Sequence, residues 1–423
     1  MRVVRVTVMV LGLAIIAAPG RALSPGDTMP IPIESSVHGC LRNEVRGLAR
    51  NTPMRIAASL CLATIGVTAM GWPGVAWAEG ACEPVSHITF STPPQFTTQS
   101  YTFPSGGIVL SGCLYRPIGA TSFPVIVEVS GSDDTPTASG IYDVIHAKAL
   151  TTKGVGYFSY NKRGIGGSGG TLTDTNFAER ATDVANAVAF ARSLPGTKGV
   201  ALLGFSQAGW VIPLALRAND GVEFVVMTSP SGVNAYEQTA YFVRNVMLGL
   251  GASPADAAKA ETTHLTVVKY YATGRGYRAA QDLVNRFTSE AWFEKFRTND
   301  AWNERIGPGG RLLTPAELKR AWVERVDDFR LYRAASTFTN CEPIYARLDR
   351  KTLIIEGTGD TTVPVEESEA VLRRVFAKNG NRNVEFKLFD GAEHGIQDGP
   401  RVRAAYLDFL GDWIVKAFKD GQR

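Results

Sequence analysis

Short apolar runs rich in β-branched residues alternate with helical patterns along the chain from about residue 106 onward. Such runs are typical of buried strands, and their alternation with helices predicts a mostly parallel sheet covered by helices on both faces. Apolar residues at helical spacing predict one covering helix over 177–192. The predicted strands are 107–115, 124–129, 154–160, 200–204, 222–228, 351–356 and 384–389. An α/β fold is therefore expected.

The long interval 235–345 interrupts this alternation. It shows no convincing strand pattern but contains helical stretches such as 254–272 and 315–335. The interval contains three tryptophans, and such large aromatic residues more often form a small packed core than a ligand-binding site. These are Trp292, Trp302 and Trp322. We therefore expect a helical cap insertion that lies over the carboxyl edge of the sheet, where ligands bind in open α/β folds.

The first 78 residues have the pattern of export signals. Residues 1–22 combine a basic start, an apolar run and a small-residue end, and residues 54–78 repeat this order with an A-x-A cleavage pattern. The better second pattern indicates that translation starts at Met54 and that the upstream residues reflect a misassigned start. A membrane anchor is the alternative, but both apolar runs are shorter than the roughly 20 residues a bilayer requires.

We therefore expect a leader over 1–78, with a signal peptide at 54–78, and a secreted or periplasmic product. The remainder divides into a first core part (79–234), the cap (235–345) and a second core part (346–423). No later stretch is long and apolar enough to predict stable membrane insertion after the signal is removed.

Composition narrows the class of protein. With 45% hydrophobic and 20% charged residues, the chain of 423 residues is neither a disordered chain nor a collagen or coiled coil. The formal charge of +4 comes from the leader, and residues 79–423 hold 37 basic and 37 acidic residues. This balance gives no support to a nucleic-acid partner or an anionic membrane surface.

Three cysteines follow the leader: Cys82, Cys113 and Cys341. In an oxidising compartment Cys82 and Cys113 could pair and attach the mature N-terminus to the first strands, whereas the alternative is three free thiols. No C-x-x-C motif or His/Cys spacing suggests a metal, so neither a metal nor an organic cofactor is expected.

The segment 204–209 (GFSQAG) follows an apolar strand and precedes an apolar helical run. A serine lifted from a strand end onto a helix start needs small residues two positions before and after it, and Gly204 and Ala208 occupy those positions. The helix N-terminus also favours a developing negative charge. Pro213 should kink this helix rather than abolish it. Ser206 is the candidate nucleophile.

A serine nucleophile needs a base, and residues 79–423 offer four histidines. His87 lies in the N-terminal lead-in, His146 inside a predicted helix and His264 within the insertion. His394 lies in a loop directly after the last predicted strand, from which it can reach the sheet edge near Ser206.

The histidine in turn needs an acid that orients it. Asp360 is the strongest candidate because it lies in the loop after the strand 351–356. Glu356, Glu393 and Asp390 are the competitors, but Glu356 falls within the strand and Glu393 adjoins the histidine. The predicted chain order is Ser206, Asp360, His394.

These motifs resemble the α/β-hydrolase superfamily over nearly all of 105–420, and most of all exported bacterial serine esterases related to dienelactone hydrolases and to the prolyl oligopeptidase catalytic domain. The segment 129–133 (VSGSD) resembles the superfamily's H-G-x-G oxyanion loop, with Ser130 in place of the histidine and Asp133 in place of the last glycine. The resemblance implies that the backbone N–H groups of Ser132 and Gln207 hold the oxyanion, for which backbone donors suffice. The segment 161–168 resembles the Arg-Gly-x-Gly-x-Ser loop of many members.

A rival interpretation starts from 164–169 (GIGGSG), which satisfies the dinucleotide motif G-x-G-x-x-G after a strand. That motif should open a helix directly, with an acid closing the next strand. Here the helical pattern begins only near Phe177 and the next strand leads to Ser206, so the nucleotide site is disfavoured. Haloalkane dehalogenases and epoxide hydrolases are disfavoured because they use an aspartate at the position of Ser206.

The sequence therefore predicts an exported serine hydrolase that cleaves small-molecule carboxylic esters through an acyl-enzyme. A serine peptidase or amidase with the same triad is the main alternative. A thioesterase or acyltransferase is less favoured, and a non-catalytic binding protein least, since every triad member is present.

Overall fold

The protein was analysed as a computed structural model, which describes residues 81–82, 94–133, 135–136, 138, 140–172, 176–217, 220–299, 306–323 and 340–421. The predicted leader, His87 and Trp302 lie outside these residues.

A single large sheet organises the described residues. Its eight strands lie in the order β1-β2-β4-β3-β5-β6-β7-β8. β1 and β2 are antiparallel to each other and β2 is antiparallel to β4, whereas the remaining neighbours are parallel. The strands are Phe96–Ser105 (β1), Ile108–Pro117 (β2), Phe123–Val129 (β3), Gly156–Tyr160 (β4), Thr197–Phe205 (β5), Val222–Thr228 (β6), Thr352–Gly357 (β7) and Val384–Phe389 (β8). The predicted mostly parallel sheet is confirmed.

Helices cover both faces of this sheet. Alternation along β3 sends Val125 and Val127 into one apolar cluster and Ile126 into the other, as the period of two in a strand requires. The first cluster lies beneath α2 (Phe177–Ser193), α3 (Ala208–Ala215) and α10 (Val365–Asn379). The second lies beneath α1 (Ile141–Thr151) and α11 (Ala404–Gly421). Continuous apolar strands are expected where both faces are buried.

β1 is the strand of the large sheet that the sequence pattern missed. Its polar residues and Pro104 hide the signal, but Phe103 is fully buried and pairs opposite Leu110 of β2. Proline is tolerated there because β1 is an edge strand. The disulfide between Cys82 and Cys113 attaches the chain before β1 to β2, which realises the pairing that the sequence left open.

Between β6 and β7 the structure places helices with a core of their own, including Val243, Tyr271, Phe293 and Phe296. Trp292 is buried in this core and Trp322 packs against it. We call 235–323 the cap. Its helices are Ala235–Gly249 (α4), Pro254–Thr273 (α5), Tyr277–Phe287 (α6), Ala291–Arg297 (α7) and Pro315–Val323 (α8), with a 3₁₀ turn at Pro308–Gly310.

The last residues of the predicted insertion belong elsewhere. The short helix α9 (Glu342–Tyr345) packs in the first cluster of the main core, and the Tyr345 hydroxyl donates a 2.6 Å hydrogen bond to the Ser231 carbonyl. The predicted helix 315–335 is described only up to Val323. Within the described part of the chain, no helix has both the length and the apolar character needed to cross a membrane.

Candidate active site

Ser206 lies at the sharp turn between β5 and α3. Its φ is 52°, a left-handed conformation that is uncommon for a residue with a side chain. A Cβ atom at Gly204 would lie 2.9 Å from the Cβ of Ala208 and 2.4 Å from the Ile212 side chain. The turn therefore requires glycine at position 204, in agreement with the sequence argument. The Ser206 N–H donates a 2.9 Å hydrogen bond to the Thr228 carbonyl, which anchors the turn on β6.

Two loops meet beside this turn, one after β7 and one after β8. A Cβ atom at Gly357 would lie 2.3 Å from the Ala392 carbonyl oxygen, so the loops approach more closely than any side chain allows. The Gly359 N–H also donates to the Ala392 carbonyl at 2.9 Å. This contact brings the Asp360 loop and the His394 loop together.

Asp360 and His394 form a hydrogen bond of 2.7 Å between Oδ2 and Nδ1. The other carboxylate oxygen of Asp360 accepts from the backbone N–H groups of Thr362 at 2.7 Å and Val363 at 2.9 Å. The Asp360 side chain is fully buried, whereas that of His394 is 20% exposed. An acid held in this way faces Nδ1 and leaves Nε2 of His394 available for proton transfer.

The His394 loop is held against the serine turn. The His394 ring packs on the ring of Phe205, with 4.9 Å between centroids. The following N–H, of Gly395, donates to the Ser229 hydroxyl at 3.3 Å. Ser229 and Ile396 both have positive φ, 51° and 56°. Strained, buried backbone of this kind persists where the surroundings determine it, and it is found at functional sites.

Sequence reasoning missed Ser229. Its position at the end of β6, on the same sheet edge as Ser206, is the only signal that could have indicated it.

Four other candidate bases and acids among the described residues have surroundings of their own. His146 is buried in α1, where Nδ1 lies 2.7 Å from the Tyr142 carbonyl and Nε2 lies 3.0 Å from the Tyr406 hydroxyl. Burial lowers the pKa of His146 to about 4. His264 is buried in α5 of the cap. Asp390 accepts a hydrogen bond from Thr358, and Glu356 is buried in the strand, where burial raises its pKa to about 8.

The segment that resembles an oxyanion loop lies beside the nucleophile. A Cβ atom at Gly131 would lie 3.4 Å from the Cβ of Ser206. Ser132 follows on the exposed side, and Gln207 precedes the first turn of α3. The first N–H groups of a helix have no partner within the helix, so this turn can donate to an anion.

The glycine-rich loop 164–169 is folded back on β2. The Ser168 hydroxyl accepts from the Ser111 N–H at 2.9 Å and donates to the Asn161 carbonyl at 2.8 Å. α2 begins only at Phe177, after an Asn176–Glu179 capping box. The loop therefore does not open a helix as a dinucleotide motif does.

The cap contacts the acid loop directly. Three side chains of α4 donate hydrogen bonds to three consecutive carbonyls, those of residues 360, 361 and 362. The bonds are Tyr241 to Asp360 (3.1 Å), Asn245 to Thr361 (3.0 Å) and Gln238 to Thr362 (3.3 Å). The cap therefore supports the loop that carries the acid. Among the described residues, no cluster of His, Cys, Asp or Glu side chains could hold a metal ion.

Residues 315–421 match the prolyl oligopeptidase family (Peptidase_S9), a segment that contains both Asp360 and His394. No curated protein matches the sequence.

Several solved structures are similar to the chain. Est1E from Butyrivibrio proteoclasticus is 16% identical, with a TM-score of 0.44 over 76% of this chain and 99% of its own. The Pyrococcus furiosus esterase Pf2001 is 15% identical, with a TM-score of 0.45 over 79% and 95%. A putative dipeptidyl aminopeptidase IV from Bacteroides ovatus is 16% identical, with a TM-score of 0.43 over 77% and 36%.

The sheet is mostly parallel, as the sequence predicted, and the serine turn lies at the end of β5. The family match covers the strands and loops that complete this sheet. The chain therefore has the α/β-hydrolase fold, and the match of residues 315–421 to the prolyl oligopeptidase family supports a serine hydrolase.

Proposed function

We propose that this protein hydrolyses carboxylic esters, with Ser206 as nucleophile, His394 as general base and acid, and Asp360 as the acid that orients His394. The observation that carries the proposal is the 2.7 Å hydrogen bond between Asp360 and His394, held beside a serine in a left-handed turn. The packing of the His394 ring on Phe205, the residue before the nucleophile, supports it further.

In the first half-reaction the Ser206 oxygen attacks the acyl carbon while its proton passes to Nε2 of His394. The carbonyl oxygen becomes an oxyanion, for which the N–H groups of Ser132 and Gln207 are the proposed donors. Collapse of the intermediate breaks the bond to the alcohol oxygen, and that oxygen takes the proton from His394. The product left on the enzyme is a Ser206 ester.

In the second half-reaction a water attacks this ester and gives its proton to His394. The second tetrahedral intermediate releases the carboxylic acid, and Ser206 regains the proton. Asp360 stabilises the imidazolium in both steps, because its Oδ2 faces Nδ1 while two backbone N–H groups fix its other oxygen.

Esters are the proposed substrate class because the motifs together resemble those of exported serine esterases. The family match favours a second candidate, a serine peptidase or amidase, since it is to the prolyl oligopeptidase family. Both reactions require the same three residues.

We also propose that the protein is exported. The leader pattern motivates this proposal, and the Cys82–Cys113 disulfide supports it because structural disulfides persist in oxidising compartments.

Initial rates on p-nitrophenyl esters of increasing acyl length, and on aminoacyl p-nitroanilides, test the function. We expect the purified protein to cleave short esters and the Ser206→Ala variant to be inactive. Anilide turnover that exceeds ester turnover would select the peptidase. A folded protein inert toward both classes would contradict the proposal.

A further inference from the structure

Two buried cations lie behind the segment 130–133, which we call the oxyanion loop. Arg180 of α2 is 8% exposed and Lys162 of the loop after β4 is 5% exposed. Charged side chains are rarely buried this deeply unless they are paired. Neither residue has a role in the hydrolysis described above.

Both side chains donate to backbone carbonyls of the oxyanion loop. Nη2 of Arg180 donates to the Ser130 carbonyl at 2.7 Å and to the Gly131 carbonyl at 3.3 Å. Nζ of Lys162 donates to the Gly131 carbonyl at 3.1 Å and also to the Asp133 carbonyl. The Gly131 carbonyl therefore accepts from both cations.

This contact fixes the direction of an N–H group. In a trans peptide the carbonyl of one residue and the N–H of the next point in opposite directions. Because the Gly131 carbonyl points toward Arg180 and Lys162, the Ser132 N–H points away from them. Gly131 itself adjoins Ser206, so this peptide is close to the atom that attacks the substrate.

Arg180 also contacts the side chain of the residue that carries the second donor. Its Nη1 hydrogen-bonds the side-chain oxygen Oε1 of Gln207, the residue after the nucleophile. One guanidinium thus contacts the backbone of the oxyanion loop and the side chain of Gln207. The planar guanidinium carries several N–H donors and can therefore contact two segments at once, whereas an ammonium group acts as a single point charge.

Nearby acids keep these cations charged. Burial lowers the pKa of Arg180, and the nearby carboxyl groups of Glu128, Asp133 and Asp183 act in the opposite direction by raising it. Burial and the charge of Arg180 lower the pKa of Lys162 to about 8, partly offset by Asp133 and Glu128, and at pH 7 the ammonium form still predominates. Hydrogen bonds from charged donors are stronger than those from neutral donors.

We propose that Arg180, with Lys162, is a positioning residue that holds the backbone of Gly131 and the side chain of Gln207 so that both N–H donors face the oxyanion. The proposal rests on the function proposed above and adds residues that act through the oxyanion site. A residue of this kind contributes to binding of the tetrahedral state much more than to binding of the substrate.

The test compares Arg180→Gln and Arg180→Lys with wild type, using p-nitrophenyl acetate and phenethyl trifluoromethyl ketone, which forms a tetrahedral adduct with an active serine. We expect kcat of Arg180→Gln to fall about 100-fold, as for loss of one oxyanion donor, with KM within about threefold of wild type. Affinity for the ketone should fall by a factor similar to that of kcat. For Arg180→Lys, kcat and ketone affinity should lie between those of wild type and Arg180→Gln, because lysine keeps the positive charge but not the several N–H donors of the guanidinium.

Arg163→Gln is the matched control. Arg163 is also a shielded arginine, but its partner is Asp183, with Nε 2.8 Å from Oδ2. We expect this variant to lose stability and to keep the wild-type ketone affinity. Gln207→Ala provides a milder probe, since it leaves the backbone N–H in place and removes only the contact with Arg180.

The outcomes separate the two proposals. Wild-type turnover with unchanged ketone affinity in folded Arg180→Gln would overturn the positioning role and leave the esterase intact. An equal loss of ketone affinity in Arg163→Gln would also overturn it, because the effect would then be structural. If Arg180→Gln does not fold, unchanged kcat in both Arg180→Lys and Gln207→Ala would overturn it as well. A wild-type protein that neither turns over the ester nor binds the ketone would contradict both proposals.

Discussion

The hydroxyl of Tyr241, in the cap, donates a hydrogen bond of 3.1 Å to the backbone carbonyl of Asp360, 119 residues further along the chain. Asn245 and Gln238 extend this contact to the next two carbonyls. The acid loop thus has one side against the His394 loop and the other against α4. A displacement of the cap would therefore disturb the loop that carries the acid.

Tyr241→Phe tests this connection. Removing one neutral hydrogen bond costs about 1 kcal/mol, and we expect kcat to fall about threefold to tenfold as Asp360 becomes less well fixed. Steady-state kinetics on the preferred ester measures the change. Tyr270→Phe is the control, because the Tyr270 hydroxyl donates to the Leu313 carbonyl inside the cap, at 2.6 Å. A similar kcat loss in the control would show that general cap stability, not the acid loop, is responsible.

Asp360→Asn tests the acid itself. The substitution keeps the shape of the side chain but places an amide opposite Nδ1, which favours the wrong histidine tautomer. We expect kcat to fall by about 10³-fold to 10⁴-fold without loss of the fold. Asp390→Asn should leave kcat unchanged, since Asp390 bonds Thr358 rather than His394. Steady-state kinetics measures turnover, and circular dichroism checks that the variant is folded. Near-normal turnover in folded Asp360→Asn would show that another acid orients His394.

Local patterns predicted most of the sheet and the main chemical candidates. The strands 222–228 and 384–389 have the predicted bounds. The first is a nearly continuous apolar run and the second alternates apolar and charged residues, and both patterns are typical of strands. The serine turn combines a strand, small residues and a helix within a few residues of sequence, so its physical requirement is visible without tertiary information.

Several contacts between distant segments could not be predicted. In the sequence, Arg180 is one polar position on an amphipathic helix. Its contact with Ser130, which lies 50 residues earlier in the chain, depends on how α2 packs in the fold. β1 alternates polar and apolar residues at an edge, which weakens the hydrophobic signal that buried strands give. In the sequence, the hydrogen-bond donors of α4 look like ordinary surface residues of a helix. Their contacts become visible only when the packing of the cap against the acid loop is known.

Glu356 predicts a pH dependence of stability. Burial raises its pKa from 4.5 to about 8, so between these values the folded protein binds more protons than the unfolded chain. Its contribution to the free energy of unfolding is therefore present at low pH and is lost as pH rises from about 4.5 to 8. Denaturant titrations at pH 5 and pH 9 should show that Glu356→Gln gains stability relative to wild type at pH 9. An equal difference at both pH values would contradict the assignment.

The disulfide predicts a redox dependence of stability. Cys82 and Cys113 are 31 residues apart, and closing a loop of that length stabilises the folded state by about 3–4 kcal/mol in the chain-entropy account. We expect a reducing agent to lower the thermal midpoint of the wild type and to have little effect on Cys82→Ser. Cys341→Ser should respond to reduction as the wild type does, because Cys341 is a free, buried thiol. If the reducing agent leaves the wild-type midpoint unchanged, the link between the N-terminal segment and β2 contributes nothing to the stability of the sheet.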